Sequence, residues 1–197
     1  MIDFNAEKPV RELVPTGNHI ARLYSIIEIG HVTEEYMGQE KRMHKIRLTW
    51  ELPEEKREFD GEQKPMVIGR EYTVSLYEGS NLRPIVEGML GELDEENFDI
   101  KELLGKPCML QVVHKTSKTS GREYALISSA AQLPKGLKAP EQFNPSVYLD
   151  YKEGWDDAAY EALPQFIKDD MAESEEMKSR LSGDNVEEEP NPEGIPF

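Results

Sequence analysis

Two groups of basic residues and a few tyrosines are the side chains best suited to chemistry on an anionic polymer. The first basic group is Lys41, Arg42, Lys45 and Arg47, and the second is Lys115, Lys118 and Arg122. The aromatic candidates are Tyr36, Tyr77 and Tyr124. Cationic side chains neutralise phosphates and aromatic rings stack on bases, a combination that binds single-stranded nucleic acid with little sequence preference. Taken alone, the charges fit a solvated strand face equally well.

Patterns that would indicate an enzyme are weaker. Glu54-Glu55-Lys56 and Glu62-Gln63-Lys64 each match the Glu-x-Lys half of a metal-dependent nuclease site, which also needs an acidic partner on a neighbouring strand. Both triplets fall in residues 53–65, which have a proline at each end and are predicted to form a charged turn rather than a strand. The sequence contains no phosphate-binding loop motif.

The single cysteine, Cys108, lies in an apolar stretch and is predicted to belong to the core. The histidines at 19, 31, 44 and 114 show no metal-ligand spacing. We therefore expect a non-catalytic protein without metal or cofactor.

Charge is unevenly distributed along the 197 residues. Residues 1–138 contain 19 Lys+Arg and 23 Asp+Glu, whereas residues 139–197 contain 4 and 16. This asymmetry indicates a near-neutral domain followed by an acidic extension. One cysteine fits a reducing compartment, and no apolar run has the length of a membrane span or the form of a signal peptide, so we expect a cytoplasmic protein.

Hydrophobic patterns predict five strands and a helix. The strands are predicted at 17–30, 42–52, 66–77, 106–115 and 122–133, with 31–41 as a long connection. Ser80 is the predicted N-cap of a helix through Leu90, and a short helical turn is predicted at 100–104. In the second strand, Ile46, Leu48, Trp50 and Leu52 share one face. The opposite, basic face, with Lys45, Arg47, Thr49 and Glu51, is predicted to be exposed.

A helix between the third and fourth of five antiparallel strands is the order of an OB barrel, which binds oligonucleotides. We therefore predict an all-β, OB-like barrel over residues 1–138. A linker and helical extension are predicted over 139–181, where Leu163, Phe166, Ile167 and Met171 offer an apolar side to the barrel. Residues 182–197 have no periodicity, five acids and no bases, and are predicted to be a disordered acidic tail.

The last three residues are Ile195, Pro196 and Phe197, preceded by Glu187–Glu189 and Glu193. This ending resembles that of bacterial single-stranded DNA-binding proteins, although Asn-Pro-Glu-Gly stands where the family has an aspartate run. The resemblance implies that Phe197 and its carboxylate dock on replication and repair proteins. The stretches Tyr72–Leu82 and Leu103–Val113 resemble small phage proteins with an OB barrel, which implies phage DNA replication in an infected bacterial cell.

The sequence thus predicts a protein that coats single-stranded DNA during phage replication or recombination and recruits replication proteins through its tail. The alternative is an interaction adaptor, or DNA mimic, with an OB-like barrel that binds protein. The sequence leaves homo-oligomerisation and the preference between DNA and RNA open.

Overall fold

The architecture is a strongly curled sheet with helices at the C-terminal end, in a computed structural model that describes residues 12–36 and 38–183. The strands are β1 Gly17–Tyr36, β2 Gln39–Phe59, β3 Glu62–Thr73, β4 Pro107–Thr116, β5 Glu123–Ala131 and β6 Val147–Leu149. The helices are α1 Arg83–Leu90, α2 Asp157–Glu161, α3 Gln165–Ala172 and α4 Glu175–Ser182, with a 3-10 turn at Ile100–Leu103. The predicted mostly-β class and the C-terminal helices are confirmed.

Strand β1 organises the sheet, whose strand order is β3-β2-β1-β4-β5. The first part of β1, Gly17–Arg22, pairs antiparallel with β4, and Ser25–Ile27 further along pairs in parallel with β6. Strand β2 follows the other edge of β1 from Arg22 to Tyr36. Register irregularities at Leu23/Ser25 and Glu28/Gly30 bend β1, because a bulge increases local twist, and the sheet curls around its own core.

The main core fills the concave side of the sheet. Leu48, Trp50 and Leu110 are fully buried there, and α1 covers the core with Ile85, Val86 and Met89. Cys108 is fully buried in the same core, and burial raises the pKa of its thiol to about 12. The prediction that this cysteine belongs to the core is confirmed.

A second core lies on the convex side of β1. Ile27, Ile29 and Val32 pack there against apolar side chains of residues 139–182, namely Leu149, Ile167, Met171 and Met177. Burying a Val, Leu, Ile or Met contributes ~1.5–3 kcal/mol, so these seven side chains contribute roughly 10–20 kcal/mol when the unfolded chain is taken as fully extended, and less for a more compact one. We call residues 139–182 the extension; it is a fixed part of the fold.

The two long hairpins differ from the prediction. Residues 31–41 are not a long connection, because β1 continues to Tyr36 and β2 begins at Gln39. Residues 53–65 are not a turn region either, since β2 and β3 run through them to a two-residue turn. That turn is Asp60-Gly61, with φ of 50° and 81°, the backbone that a tight hairpin requires.

Some helix ends also differ. Helix α1 begins at Arg83 with Leu82 as N-cap, not Ser80, although the Ser80 hydroxyl accepts a hydrogen bond from the Arg83 N–H. Gly91 ends the helix as predicted. In residues 155–171 the sequence predicts a helical stretch that Pro164 interrupts, and Pro164 does separate α2 from α3, because proline cannot continue a helix.

We predict that Gly30→Ala destabilises the protein strongly. Gly30 has φ of +100°, and a Cβ there would lie 2.5 Å from Glu176 Oε2 and 2.8 Å from Ser174 Cβ. Backbone strain and collision with the N-terminus of α4 should together lower the free energy of unfolding by more than ~2 kcal/mol. Gly121→Ala is the control for strain alone, because Gly121 has φ of +67° and nothing within 4 Å of such a Cβ. Equal losses in urea unfolding of the two variants would contradict the close approach.

Candidate nucleic-acid interface

The β4–β5 hairpin presents cations that no carboxylate of the described residues neutralises. Lys115, Lys118 and Arg122 are exposed, and none of them has an ion pair within residues 12–36 and 38–183. Tyr124 is opposite Lys115 in the strand pairing and is 41% exposed. The hairpin therefore combines phosphate-neutralising charge with a ring available for stacking, next to one exposed acid, Glu123.

The hairpin tip has a defined backbone. The Ser117 N–H donates to the Arg122 carbonyl and the Gly121 N–H donates to the Ser117 carbonyl, each at 2.8 Å. Gly121 provides the left-handed conformation that this turn needs. At the base, His114 Nε2 lies 2.8 Å from the carbonyl oxygen of Val14, which joins the hairpin to the segment before β1.

The first basic group is placed differently, because carboxylates bind most of it. Arg42 donates to both oxygens of Glu175 in α4, at 2.8 and 2.7 Å, and Lys45 pairs with Glu34. Lys41 is exposed but lies opposite Glu34 in the strand pairing. These residues lie toward the far end of β1 from the β4–β5 hairpin, so the two basic groups do not form one cluster.

Arg47 is held between the sheet and the extension. Its Nη1 donates to Glu71 at 3.2 Å, and its Cζ lies 4.8 Å from the ring centroid of Phe166 in α3. Burial and the nearby Asp170 raise the pKa of the Glu71 carboxyl, against the opposing effect of Arg47 and Lys45. The prediction that Lys45 and Arg47 are exposed is therefore wrong: each side chain is 16% exposed, and the extension covers Arg47.

Glu51 binds the start of the extension to the sheet through polar contacts. The sequence pattern placed it on an exposed face, yet it is fully buried. Its carboxylate accepts hydrogen bonds from the Phe143 and Asn144 N–H groups, both at 2.8 Å, and from Asn144 Nδ2 at 2.7 Å. A buried carboxylate with three donors fixes the chain at the start of the extension.

A second polar contact joins α4 to the end of the sheet. The His31 and His44 rings stack with centroids 4.4 Å apart, and each binds a carboxylate, Glu176 at 2.5 Å and Glu28 at 2.6 Å. Glu28 also accepts the Tyr151 N–H, so both carboxylates connect the extension to the barrel. Although burial opposes ionisation, hydrogen bonds from the His31 side chain and backbone lower the pKa of Glu176.

The remaining candidates lie apart from the hairpin. Tyr77 is 70% exposed in the loop between β3 and α1. Tyr36 ends β1, and its side chain lies outside what the structure describes, as do Ile195, Pro196 and Phe197. The docking of the tail on replication proteins therefore stays a prediction.

The Glu-x-Lys triplets lie on strands, not in a turn, so that argument against a nuclease site was wrong. Among the described residues, however, no group of three or more His, Cys, Asp or Glu side chains is placed to hold a metal ion. In the same part of the chain, no helix is both long and apolar enough to cross a membrane.

Sequence reasoning missed a groove between the sheet and helices α2 and α3. It has a volume of about 400 Å³, and its lining includes Arg47, Val67, Gly69, Ala162 and Phe166. A second cavity of about 540 Å³ opens beside the middle of β1 and the first half of β2 and is lined in part by Glu28, His44 and Asp150. Neither has a local sequence signal, since each is built from segments far apart in the chain.

Comparison with known proteins finds no matching family model and no curated protein with significant similarity. The functional argument therefore rests on the geometry of the chain itself.

We predict that Glu51→Ala releases the start of the extension. The substitution leaves three donors without their acceptor, and losing a charged hydrogen-bond partner inside a protein costs ~2 kcal/mol or more. Urea unfolding should show this loss, and limited proteolysis should cleave residues 139–146 faster. Glu54→Ala, an exposed position on the same strand, is the control. Parent-like stability of Glu51→Ala would contradict the anchor.

We also predict an acid-sensitive contribution from α4. The Glu176 pKa is lower in the folded state than the ordinary value of 4.5, so its stabilisation is present above that value and is lost as pH falls through the folded pKa. The free energy of unfolding should therefore fall less steeply between about pH 5 and pH 3 in Glu176→Gln than in the parent. Glu173→Gln, which removes an exposed acid just before α4, should keep the parent's slope. Identical slopes in all three proteins would rule out this linkage.

Proposed function

We propose that this protein binds single-stranded DNA without a catalytic step, and that the β4–β5 hairpin is its main phosphate contact. The observation that carries the proposal is the set of cations Lys115, Lys118 and Arg122, exposed and without carboxylate partners among the described residues, beside the exposed ring of Tyr124. A surface with both cations and an aromatic ring binds single strands, because the cations neutralise phosphates and the ring stacks on the face of any base.

The strand arrangement supports the same proposal. Around the curl the order is β1-β2-β3, then β5 and β4, and Arg70 of β3 donates to the Ile127 carbonyl of β5 at 2.8 Å. With α1 between β3 and β4, this is the arrangement expected of an OB barrel, whose loops commonly bind oligonucleotides. The proposal includes recruitment of replication proteins by the acidic tail, in the setting of phage DNA replication or recombination.

The first basic group has a structural role in this proposal. Moving α3 and α4 away from Arg42 and Arg47 would expose the second core, at a cost on the order of 10 kcal/mol. New phosphate contacts at the surface do not offset such a loss, because exposed ion pairs contribute roughly 1 kcal/mol or less each. Arg42 and Arg47 therefore stay bound to the extension and Lys45 pairs with Glu34 of β1, so this group is not the main phosphate contact.

An adaptor that binds protein is the second candidate. It is favoured by exposed apolar side chains near the larger cavity, Val74 at 42% and Tyr77 at 70% exposed. The salt dependence of binding separates the two functions, since phosphate contacts release counterions and apolar contacts do not.

The test is charge reversal on the hairpin. The logarithm of the binding constant falls with the logarithm of the salt concentration, with a slope of roughly −0.7 for each phosphate contact. For three cations and a dT oligonucleotide the slope should therefore be roughly −2. Lys118→Glu with Arg122→Glu should bring it close to −0.7 and weaken binding by about tenfold or more at low salt. Lys135→Glu with Lys138→Glu, exposed cations outside the hairpin, is the matched control. Equal weakening by both pairs in fluorescence anisotropy would mean that binding depends on net charge and not on the hairpin.

A further inference from the structure

The groove between the convex sheet face and helices α2 and α3 has the size of a small-molecule site, about 400 Å³. The sheet contributes Arg47, Thr49, Val67 and Gly69, and the helical side contributes Ala162 and Phe166. Small residues on both sides keep it open. At Gly69 a Cβ would lie 2.9 Å from Thr49 Oγ1 and 3.0 Å from Arg47 Nη2.

The groove differs from the larger cavity in its charge. In a chain with 39 acidic residues, no carboxylate belongs to the groove lining, which carries one cation, Arg47. The larger cavity has two carboxylates in its lining, Glu28 and Asp150, together with His44 and Lys152. A nucleobase, which carries a negatively charged phosphate chain with it, is thus compatible with the groove. In the larger cavity the carboxylates disfavour it.

Arg47 supplies hydrogen-bond donors inside the groove. Its Nη1 is bound by Glu71, but its buried Nε has no hydrogen-bond partner among the described residues. That Nε has no accessible surface, but Nη2 also lacks a hydrogen-bond partner among the described residues, so a ligand acceptor that reaches Nη2 from the groove is favoured. A guanidinium presents its donors as a planar fork, which matches a pair of adjacent acceptors better than a single one.

Apolar surface for a planar ring lies next to these donors. The Phe166 ring is 45% exposed and Val67 is 41% exposed, although both lie in the groove. A half-exposed phenylalanine beside an arginine offers a stacking surface, and stacking of a base on an aromatic ring is a main source of affinity for single strands.

We propose that this groove receives one guanine base of a bound single strand, with its O6 and N7 accepting from Arg47 and its ring against Phe166. Guanine alone places two acceptors side by side on that edge, whereas adenine and cytosine present an amino donor there and thymine a single oxygen. The inference rests on the proposed single-stranded DNA binding and adds base selectivity to it.

The experiment measures fluorescence anisotropy of four oligonucleotides: dT15 and the same strand with one central dG, dA or dC. The parent protein should bind the dG strand about 5- to 150-fold more tightly than the others, the range of one bidentate arginine–guanine contact. Arg47→Lys keeps the charge and loses the fork, so it should retain affinity for dT15 and lose the preference for dG.

Groove-filling variants test the location. Val67→Trp should remove the dG preference and leave dT15 binding intact, because the β4–β5 hairpin is unchanged. Val74→Trp is the matched control, since Val74 is 42% exposed and lines the larger cavity instead. If Val67→Trp fails to fold, Ala162→Trp fills the groove from the helical side and replaces it.

The outcomes separate this inference from the proposed function. No binding of any oligonucleotide by the parent overturns both. Equal binding of all four strands by the parent overturns the guanine site and leaves single-stranded DNA binding standing. A dG preference that persists in the groove-filling variants overturns the location of the site.

Discussion

Burial of both faces of β1 is the constraint on which the rest of this structure depends. Ile26 points into the barrel core while the next residue, Ile27, belongs to the second core on the convex side. A strand that is apolar on both faces must be covered twice, because exposed Ile and Val side chains lose the free energy of burial. The extension supplies the second cover, and it is therefore as much part of the folded domain as the barrel.

The position of the extension also determines which basic residues pair with carboxylates. An acidic segment placed against a basic strand face neutralises it, as Glu175 does with Arg42, and Phe166 closes over Arg47. The cations of the β4–β5 hairpin, which the extension does not reach, have no carboxylate partner within the described part of the chain. A net charge of −16 thus coexists with a local surface suited to phosphate, because much of the acidic excess lies in the extension and the tail.

The success and failure of sequence reasoning follow from the range of the contacts involved. Alternation in 42–52 correctly identified the side of β2 that faces the core, since Ile46, Leu48, Trp50 and Leu52 are all buried. The same alternation misplaced Glu51 and Arg47, because the residues that cover them, Asn144 and Phe166, are about a hundred positions away in the chain. Two local signals were available and were missed: the adjacent isoleucines in β1, and Asp60-Gly61, a typical dipeptide of tight hairpins. The groove had no such signal.

Strand register relates the two proposed contact regions. Val67, in the groove, is opposite Glu51, which is opposite Arg22, which in turn is opposite Pro107 at the start of β4. Lys115 lies eight residues further along β4, roughly 26 Å away along the strand. In the proposed OB-like arrangement a single-strand site would span about 4–16 nucleotides, enough for one strand to reach from the hairpin to the groove. Phosphate contacts at the hairpin and a base pocket in the groove, as proposed, would then separate affinity from selectivity, because phosphate contacts carry no sequence information and contacts to base edges do.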